Sequence, residues 1–433
     1  MPLLSQRTAR LGTENAFRIA PYIAEAEASG LRVIRCNLGQ PDFPVPGHIR
    51  EELKRQIDGG QGGYCDPQGI LPLRNAIARQ MRERGIEAAP ERVVVFPGVK
   101  PSIGLVQQAY TDPGDEVIYP SPGFPIYESF IDYVSAEPVP LFLREENGFT
   151  VSAEELDRLI TRFTRLVFLN FPSNPTGGVA TREQLESLAA VLRARLPEDA
   201  RIFSDEIYED IVFDGRKHQS IATLPGMAAR TIVVSGVSKS YAWPGGRVGW
   251  ALFPTVEEAQ VFRNLNINYF SCVSAWAQEG ARIALESPLS KPVVQRMVQA
   301  FQERRDVVVN GLNAIEGIRC SLPGGAFYAW PNVADVCERL GVFDAHRSLP
   351  PAERERTSPS TLLQMFILLR HGVATLDRRS FGRIGAAREQ FLRLSVATGL
   401  DDLRKAVQRI GAAAHDARGF QEFMRDTQQR RPW

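Results

Sequence analysis

The sequence predicts an α/β protein: a large domain on a mostly parallel mixed sheet flanked by helices, followed by a smaller α+β domain. Two observations carry this. Five short apolar runs, RVVVF (92–96), EVIYP (116–120), RLVFLN (165–170), RIFSD (201–205) and TIVVS (231–235), alternate with helix-length segments. That is the pattern of strands buried on both faces and joined by crossover helices. From about residue 288 the texture changes to a long amphipathic stretch followed by short strands and helices. The length of 433 residues suits two units, because single cores stop growing near about 250–300 residues.

In order, the expected division is an N-terminal segment (1–46) joining the small domain, a large domain (47–287) and a small C-terminal domain (288–433). Between strands, TREQLESLAAVLRARL (181–196) reads as a crossover helix with Thr181 at its N-cap and Glu183 and Gln184 in the first turn. A helix over roughly 291–313 leads to GGAFYAWP, then to a polar stretch, HRSLPPAERERTSPS (346–360). Another helix, the strands HGVATL and FLRLSVA, and a last helix, DDLRKAVQRIGAAA, follow. The tail after Ala414 is charged but carries Phe420, Phe423 and Trp433, so it reads either as a docking segment or as a loose one.

Composition narrows the function. Hydrophobic residues at 44% and charged residues at 23% exclude a disordered chain. Lys+Arg of 51 against Asp+Glu of 50 leaves no basic surplus for a nucleic-acid partner. The five cysteines (Cys36, Cys65, Cys272, Cys320, Cys337) form no CxxC pair, which excludes a zinc knuckle and fits a reducing compartment. Residues 1–20 have no apolar core of a signal peptide, and no run reaches eighteen apolar residues, so a cytoplasmic location and no membrane partner are expected.

Ligands of open α/β sheets bind beyond the carboxyl ends of the strands, so the loops there carry the chemistry. After the first run, Gly98 and Val99 can offer backbone N–H groups to a phosphate at the start of a helix, with Lys100 adding charge; an ordinary turn has the same look. Phe124 sits in a Pro/Gly-fixed loop, and Asn174 opens an Asn-Pro turn that presents its amide. Asp205 closes an apolar strand and Tyr208 follows three residues on. A carboxylate at the mouth of a buried sheet is costly unless it is paired, although a helix cap and a core tyrosine would also fit. Lys239 follows the last run and Arg247 stands just past Gly245-Gly246. An amine in a partly dry pocket has its pKa lowered and becomes a nucleophile for a carbonyl, while a guanidinium suits a dianionic phosphate. Each feature alone has a bland explanation; five in successive strand-end loops do not.

In this order the residues resemble the fold type I pyridoxal-phosphate enzymes, and specifically the class I/II aminotransferases, over about residues 5–413. NLGQPDFPVP (37–46) resembles the segment whose glycine, here Gly39, lies against the substrate carboxylate. GYCDPQGILPLR (63–74) resembles the signature whose tyrosine, here Tyr64, reaches the cofactor phosphate of the partner subunit. The resemblance implies Gly98, Val99, Lys100 and Arg247 around the phosphate of pyridoxal 5′-phosphate and Phe124 stacked on its ring. It also implies Asn174 and Tyr208 at the ring hydroxyl, Asp205 at the ring nitrogen and Lys239 as the Schiff-base lysine. PGGAFYAW and FLRLSVA resemble the family's small domain, with Arg393 on the substrate α-carboxylate. Implied in turn are a homodimer without a metal and a ping-pong transfer of an amino group from an L-amino acid to a 2-oxo acid, with Lys239 as general base and acid. The same constellation serves C–S lyases, decarboxylases, oxidases and C–C bond-forming enzymes.

The chain departs from that pattern in places. Gly236 stands where many relatives have a phosphate-binding serine, and Ser238 or a backbone amide is the expected substitute. LDRRSFG (376–382) replaces a neutral Pro-Gly loop, placing Asp377, Arg378 and Arg379 near the pocket mouth as a solvated turn or as contacts to a charged substrate. Arg378 and Arg379 hint at an acidic side chain, Asp377 and Glu14 at a basic one. The aromatic run NYFSCVSAW (268–276) falls where relatives are polar, and could alter the substrate pocket.

Overall fold

The computed structural model describes residues 3–60 and 62–427; Trp433 lies outside the described residues. The large sheet has seven strands: β1 (Val93–Phe96), β2 (Glu116–Ser121), β3 (Glu137–Phe142), β4 (Thr164–Asn170), β5 (Arg201–Asp205), β6 (Thr231–Gly236) and β7 (Gly249–Leu252). Their spatial order is β1-β7-β6-β5-β4-β2-β3, with only β7 antiparallel to its neighbours. Every residue of β1, β6 and β7 is buried, which is why such strands read as continuous apolar runs rather than as alternation.

Five strands coincide with the runs read from the sequence; β3 and β7 do not. Pro138 and Pro140 disguise β3, and they are tolerated because β3 is an edge strand, where a missing N–H leaves no ladder bond unmade. β7 is short and begins at Gly249, whose Cβ would fall 2.5 Å from the Val99 nitrogen.

The crossover helix runs Arg182–Arg195 and starts with a capping box: the Thr181 hydroxyl accepts from the Gln184 N–H, and the Gln184 side chain accepts from the Thr181 N–H at 2.9 Å. Its Leu185, Leu188, Ala189 and Leu192 face the core.

Beyond the large sheet, Leu376–Asp377, Leu392–Ser395 and Tyr328–Ala329 form a three-stranded antiparallel sheet. Ile34–Arg35 pairs in parallel with Val373–Ala374, tying the N-terminal segment to this part of the chain. The helices Ser290–Asn313, Pro359–His371 and Leu400–Ala414 belong to the same C-terminal region. The polar stretch 346–360 holds the end of one short helix (Val342–Arg347) and all of another (Pro351–Arg356), and it closes with Ser358 capping Pro359–His371. The tail folds back as a helix, Ala417–Thr427. Its buried Phe420 and Phe423 lie 5.4 and 5.7 Å from the ring of Phe366, so it docks on its own chain. No helix among the described residues is long and apolar enough to cross a membrane.

Candidate active site

The carboxyl ends of β4, β5 and β6 converge because parallel pairing fixes their register: Asn170 lies opposite Asp205, and Asp205 opposite Val234. The chain beyond β6 turns into a short helix, Val237–Ser240, that presents Lys239 beside them. Together they form the floor of a cavity of about 420 Å³. The N-terminal segment (Glu14 to Phe17, Leu38 to Gln40) and the small sheet (Tyr328, Leu376, Arg393) complete its wall. Of the residues singled out by sequence, Gly39, Val99, Lys100, Phe124, Asn174, Asp205, Tyr208, Ser238, Lys239, Arg247 and Arg393 line this space.

The Lys239 amine donates to the Gly39 carbonyl and lies 5.7 Å from the Tyr208 ring. Burial, reinforced by the neighbouring cations Arg393 and Lys100, lowers its pKa to about 8. Asp205 accepts from the Tyr127 hydroxyl at 2.7 Å and from the Ile207 N–H at 3.3 Å. Burial nevertheless pushes its carboxyl up to about 6, because those two donors only partly replace lost water. Asn170 sets both neighbours: its amide donates to the Asp205 carbonyl at 3.0 Å and accepts from the Asn174 N–H at 2.9 Å.

Arg393 is buried, donates to the Asn174 side chain at 2.9 Å and to the Asn37 carbonyl at 2.6 Å, and lies 4.4 Å from the Tyr328 ring. Its Nε has no hydrogen-bond partner among the described residues. The Tyr208 hydroxyl shares a 2.7 Å hydrogen bond with that of Tyr328, and burial raises its pKa well above the ordinary tyrosine value.

Two glycines are set by close approach. A Cβ at Gly98 (φ +85°) would lie 2.2 Å from the Arg247 guanidinium, and one at Gly39 would lie 2.4 Å from the Tyr328 hydroxyl. Arg247, itself left-handed at φ +53°, donates to the carbonyls of Pro244 and Pro97, both at 2.9 Å. Neither Arg247 nor Arg393 forms an ion pair with a carboxylate among the described residues.

Some expected residues lie elsewhere or serve otherwise. Tyr64 is 90% exposed and outside the cavity of its own chain. Lys100 pairs with Glu14 rather than standing free. Solvation of the turn 376–382 fails at Asp377 and Arg378, which are 2% and 0% exposed, while Arg379 is half-buried and lines a second cavity. Arg378 pairs with Glu389, donates to the Gly382 carbonyl at 3.1 Å and the Ser121 hydroxyl at 3.1 Å, and does not line the cavity. Gly236 has a steric reason: a Cβ there would meet the Val248 carbonyl oxygen at 2.8 Å and Gly249 Cα at 2.9 Å. Tyr127, Asn170 and Tyr328 are the site residues that sequence reasoning missed. A buried tyrosine or amide looks like core, and only Asn170 carried a signal, as a polar residue closing an apolar strand.

The family model described as aminotransferase class I and II matches residues 32–410. A probable aspartate/prephenate aminotransferase of Aquifex aeolicus is 34% identical over 95% of this chain and 99% of its own length. An arginine–pyruvate transaminase of Pseudomonas aeruginosa is 34% identical over 90% of this chain and 92% of its own. The crystal structure of the aspartate aminotransferase from Rhizobium meliloti superposes with a TM-score of 0.84 at 32% identity, covering 96% of this chain and 99% of that one.

Proposed function

The chain belongs to the class I and II aminotransferases and moves an amino group from an amino acid to a 2-oxo acid; from that premise we propose that it does so with pyridoxal 5′-phosphate held in the cavity around Lys239. One observation carries the reading. A desolvated amine, a buried carboxylate raised to about 6 and two guanidiniums without acid partners among the described residues converge on one space. That donor set fits the cofactor: Arg247 and the Gly98–Val99 backbone suit its phosphate, and Asp205 suits a protonated ring nitrogen. Phe124 would flank the ring, Asn174 and Tyr208 would hold its hydroxyl, Ser238 would serve the phosphate, and Lys239 would carry the covalent attachment.

When bound, pyridoxal phosphate supplies an electron-accepting ring that takes up the electron pair of the breaking Cα–H bond. The chain supplies the rest. Arg393, with Gly39 and Asn174 beside it, grips the substrate α-carboxylate and fixes the orientation of Cα. Lys239 Nζ, released when the donor's amine takes over its bond to the cofactor, would take the proton from Cα and return it during the transfer. A pKa near 8 leaves a useful fraction neutral at working pH, as proton transfer requires. Closure of the wall by Tyr328 and the N-terminal segment keeps water from the exposed carbon.

The reading includes a homodimer, in which Tyr64, exposed on its own chain, would serve the site of the other. It retains the division at residues 1–46, 47–287 and 288–433. Borohydride reduction of the reconstituted protein followed by peptide mass spectrometry tests the attachment. The cofactor mass is expected on the Lys239 peptide and absent in Lys239→Ala. A label on another lysine, or none in wild type, overturns the assignment. A monomer mass by sedimentation with full activity would remove the dimer.

A further inference from the structure

We propose that Glu14 is the specificity residue of this site and selects an amino donor whose side chain ends in a cation, a guanidinium or a second ammonium, over dicarboxylic donors. The proposal rests on the transaminase site described above and names its substrate class. Glu14 lines the cavity, its side chain is 18% exposed, and it forms an ion pair with Lys100 on the loop beyond β1. The charges it faces are Lys100, Lys239, Arg393 and the Tyr328 hydroxyl, each of the last three feeling its field.

The donor's own anchors are already assigned: its α-carboxylate to Arg393, its α-amine to the neighbourhood of Lys239. Of the two carboxylates on the cavity wall, Asp205 is held by Tyr127 at the far end, so Glu14 is the anion left to meet a side chain. Phe17, Leu38 and Ile103 line the same space and can cover an aliphatic stem.

Charge decides which terminus is accepted. A second carboxylate at Lys100 would stand beside Glu14, bringing two anions together in a half-buried place. A cation can join Glu14 on the side opposite Lys100 without breaking the existing pair. Uncharged side chains gain neither contact.

Glu14 is also held in place. The neighbouring Asn15 donates to the Ser380 hydroxyl at 2.9 Å, and Asp377 accepts from the Ser380 N–H at 3.0 Å. The charged turn 376–382 therefore acts on the substrate indirectly, by anchoring the segment that carries Glu14.

The test is the rate of the donor half-reaction of holoenzyme, followed by absorbance, with L-arginine, L-lysine, L-aspartate, L-glutamate and L-leucine. Wild type should favour arginine or lysine over both acids and over leucine by about ten-fold or more. Glu14→Gln should reduce the cationic-to-acidic ratio of kcat/KM at least about ten-fold, and Lys100→Ala should move it the other way. Because each ratio is taken within one variant, partial unfolding does not imitate the effect. Calorimetry adds a readout without turnover: a guanidino carboxylate lacking the α-amine should bind wild type more tightly than succinate, and lose that advantage in Glu14→Gln. Wild type preferring acidic or neutral donors, or a ratio unmoved by Glu14→Gln, overturns the proposal. A holoenzyme that reacts with no donor instead removes the transaminase reading and this proposal with it.

Discussion

Arg378 offers a direct contest between two readings of the same charged turn. If it contacts substrate, Arg378→Ala should raise the donor KM and leave the fold alone. The structure points the other way. The guanidinium is fully buried, pairs with Glu389 at 2.9 Å, and donates to the Phe381 and Gly382 carbonyls at 3.4 and 3.1 Å and to Ser121 at 3.1 Å. Ser121 ends β2 of the large sheet, so this one side chain joins that sheet to the turn after Leu376–Asp377. Breaking a buried pair costs about 3–5 kcal/mol, and stranded carbonyls add to it unless water enters. Glu389 is 29% exposed and can rehydrate, which argues for the lower part of that range, about 3–4 kcal/mol. For a chain this long each kcal/mol moves Tm by roughly 2 °C, so a fall of about 6–8 °C is expected. Arg378→Met, which fills the space and removes the charge, should recover part of it. Differential scanning calorimetry of both variants, with donor KM measured alongside, decides the matter. An unchanged Tm with a raised KM would refute the structural assignment.

Gly236→Ser should destabilise by about 1–3 kcal/mol, because its Cβ would press on the Val248 carbonyl and the Gly249 backbone; urea unfolding at wild-type stability would show that the strands can part. Phe420→Ala should cost about 3–5 kcal/mol in the same assay, since Phe420 is buried against Phe366, whereas a loose tail would cost nothing. Asp205 gives a pH signature in the cofactor-free protein. Its carboxyl rises from 3.8 to about 6 on folding, so between those values the native chain keeps a proton that the unfolded chain has lost. Stability from this group therefore falls as pH rises through that window. Asp205→Asn should gain Tm over wild type by more at pH near 7 than at pH near 4; an equal gain at both would refute the burial argument.

What the sequence made legible follows from how each residue is used. Strands buried on both faces were readable because no alternation interrupts them, while β3 was hidden by prolines that only an edge position tolerates. Polar residues closing apolar strands, such as Asp205 and Asn174 just past β4, stood out against their surroundings. Tyr127 and Tyr328 did not, because a tyrosine whose hydroxyl serves a site has the same neighbours in sequence as one that merely fills a core. Asp377 and Arg378 misled for a related reason. Charges in a turn predict solvent, and the partners that allow their burial, Thr361, Glu389 and Ser121, are separated from them by 11 to 257 positions.

The same charges that select a donor also tune the reactive amine. Lys239 is lowered by burial first, then by Arg393 and Lys100, and is raised by Glu14 and Asp205. Glu14 thus opposes Arg393 and Lys100 in their effect on Lys239. Neutralising it would free Lys100 for an acidic side chain and at the same time make Lys239 less basic, so the two effects cannot be separated by a single rate at a single pH. This coupling favours a fixed Glu14 over a mobile one, because motion of the carboxylate would move both selectivity and basicity. The chain answers with a rigid chain of bonds from Asn15 through Ser380 to Asp377, itself buried, rather than with more contacts to Glu14. In that arrangement a turn whose Asp377 and Arg378 are buried and bonded within the protein bears on which ligand is accepted.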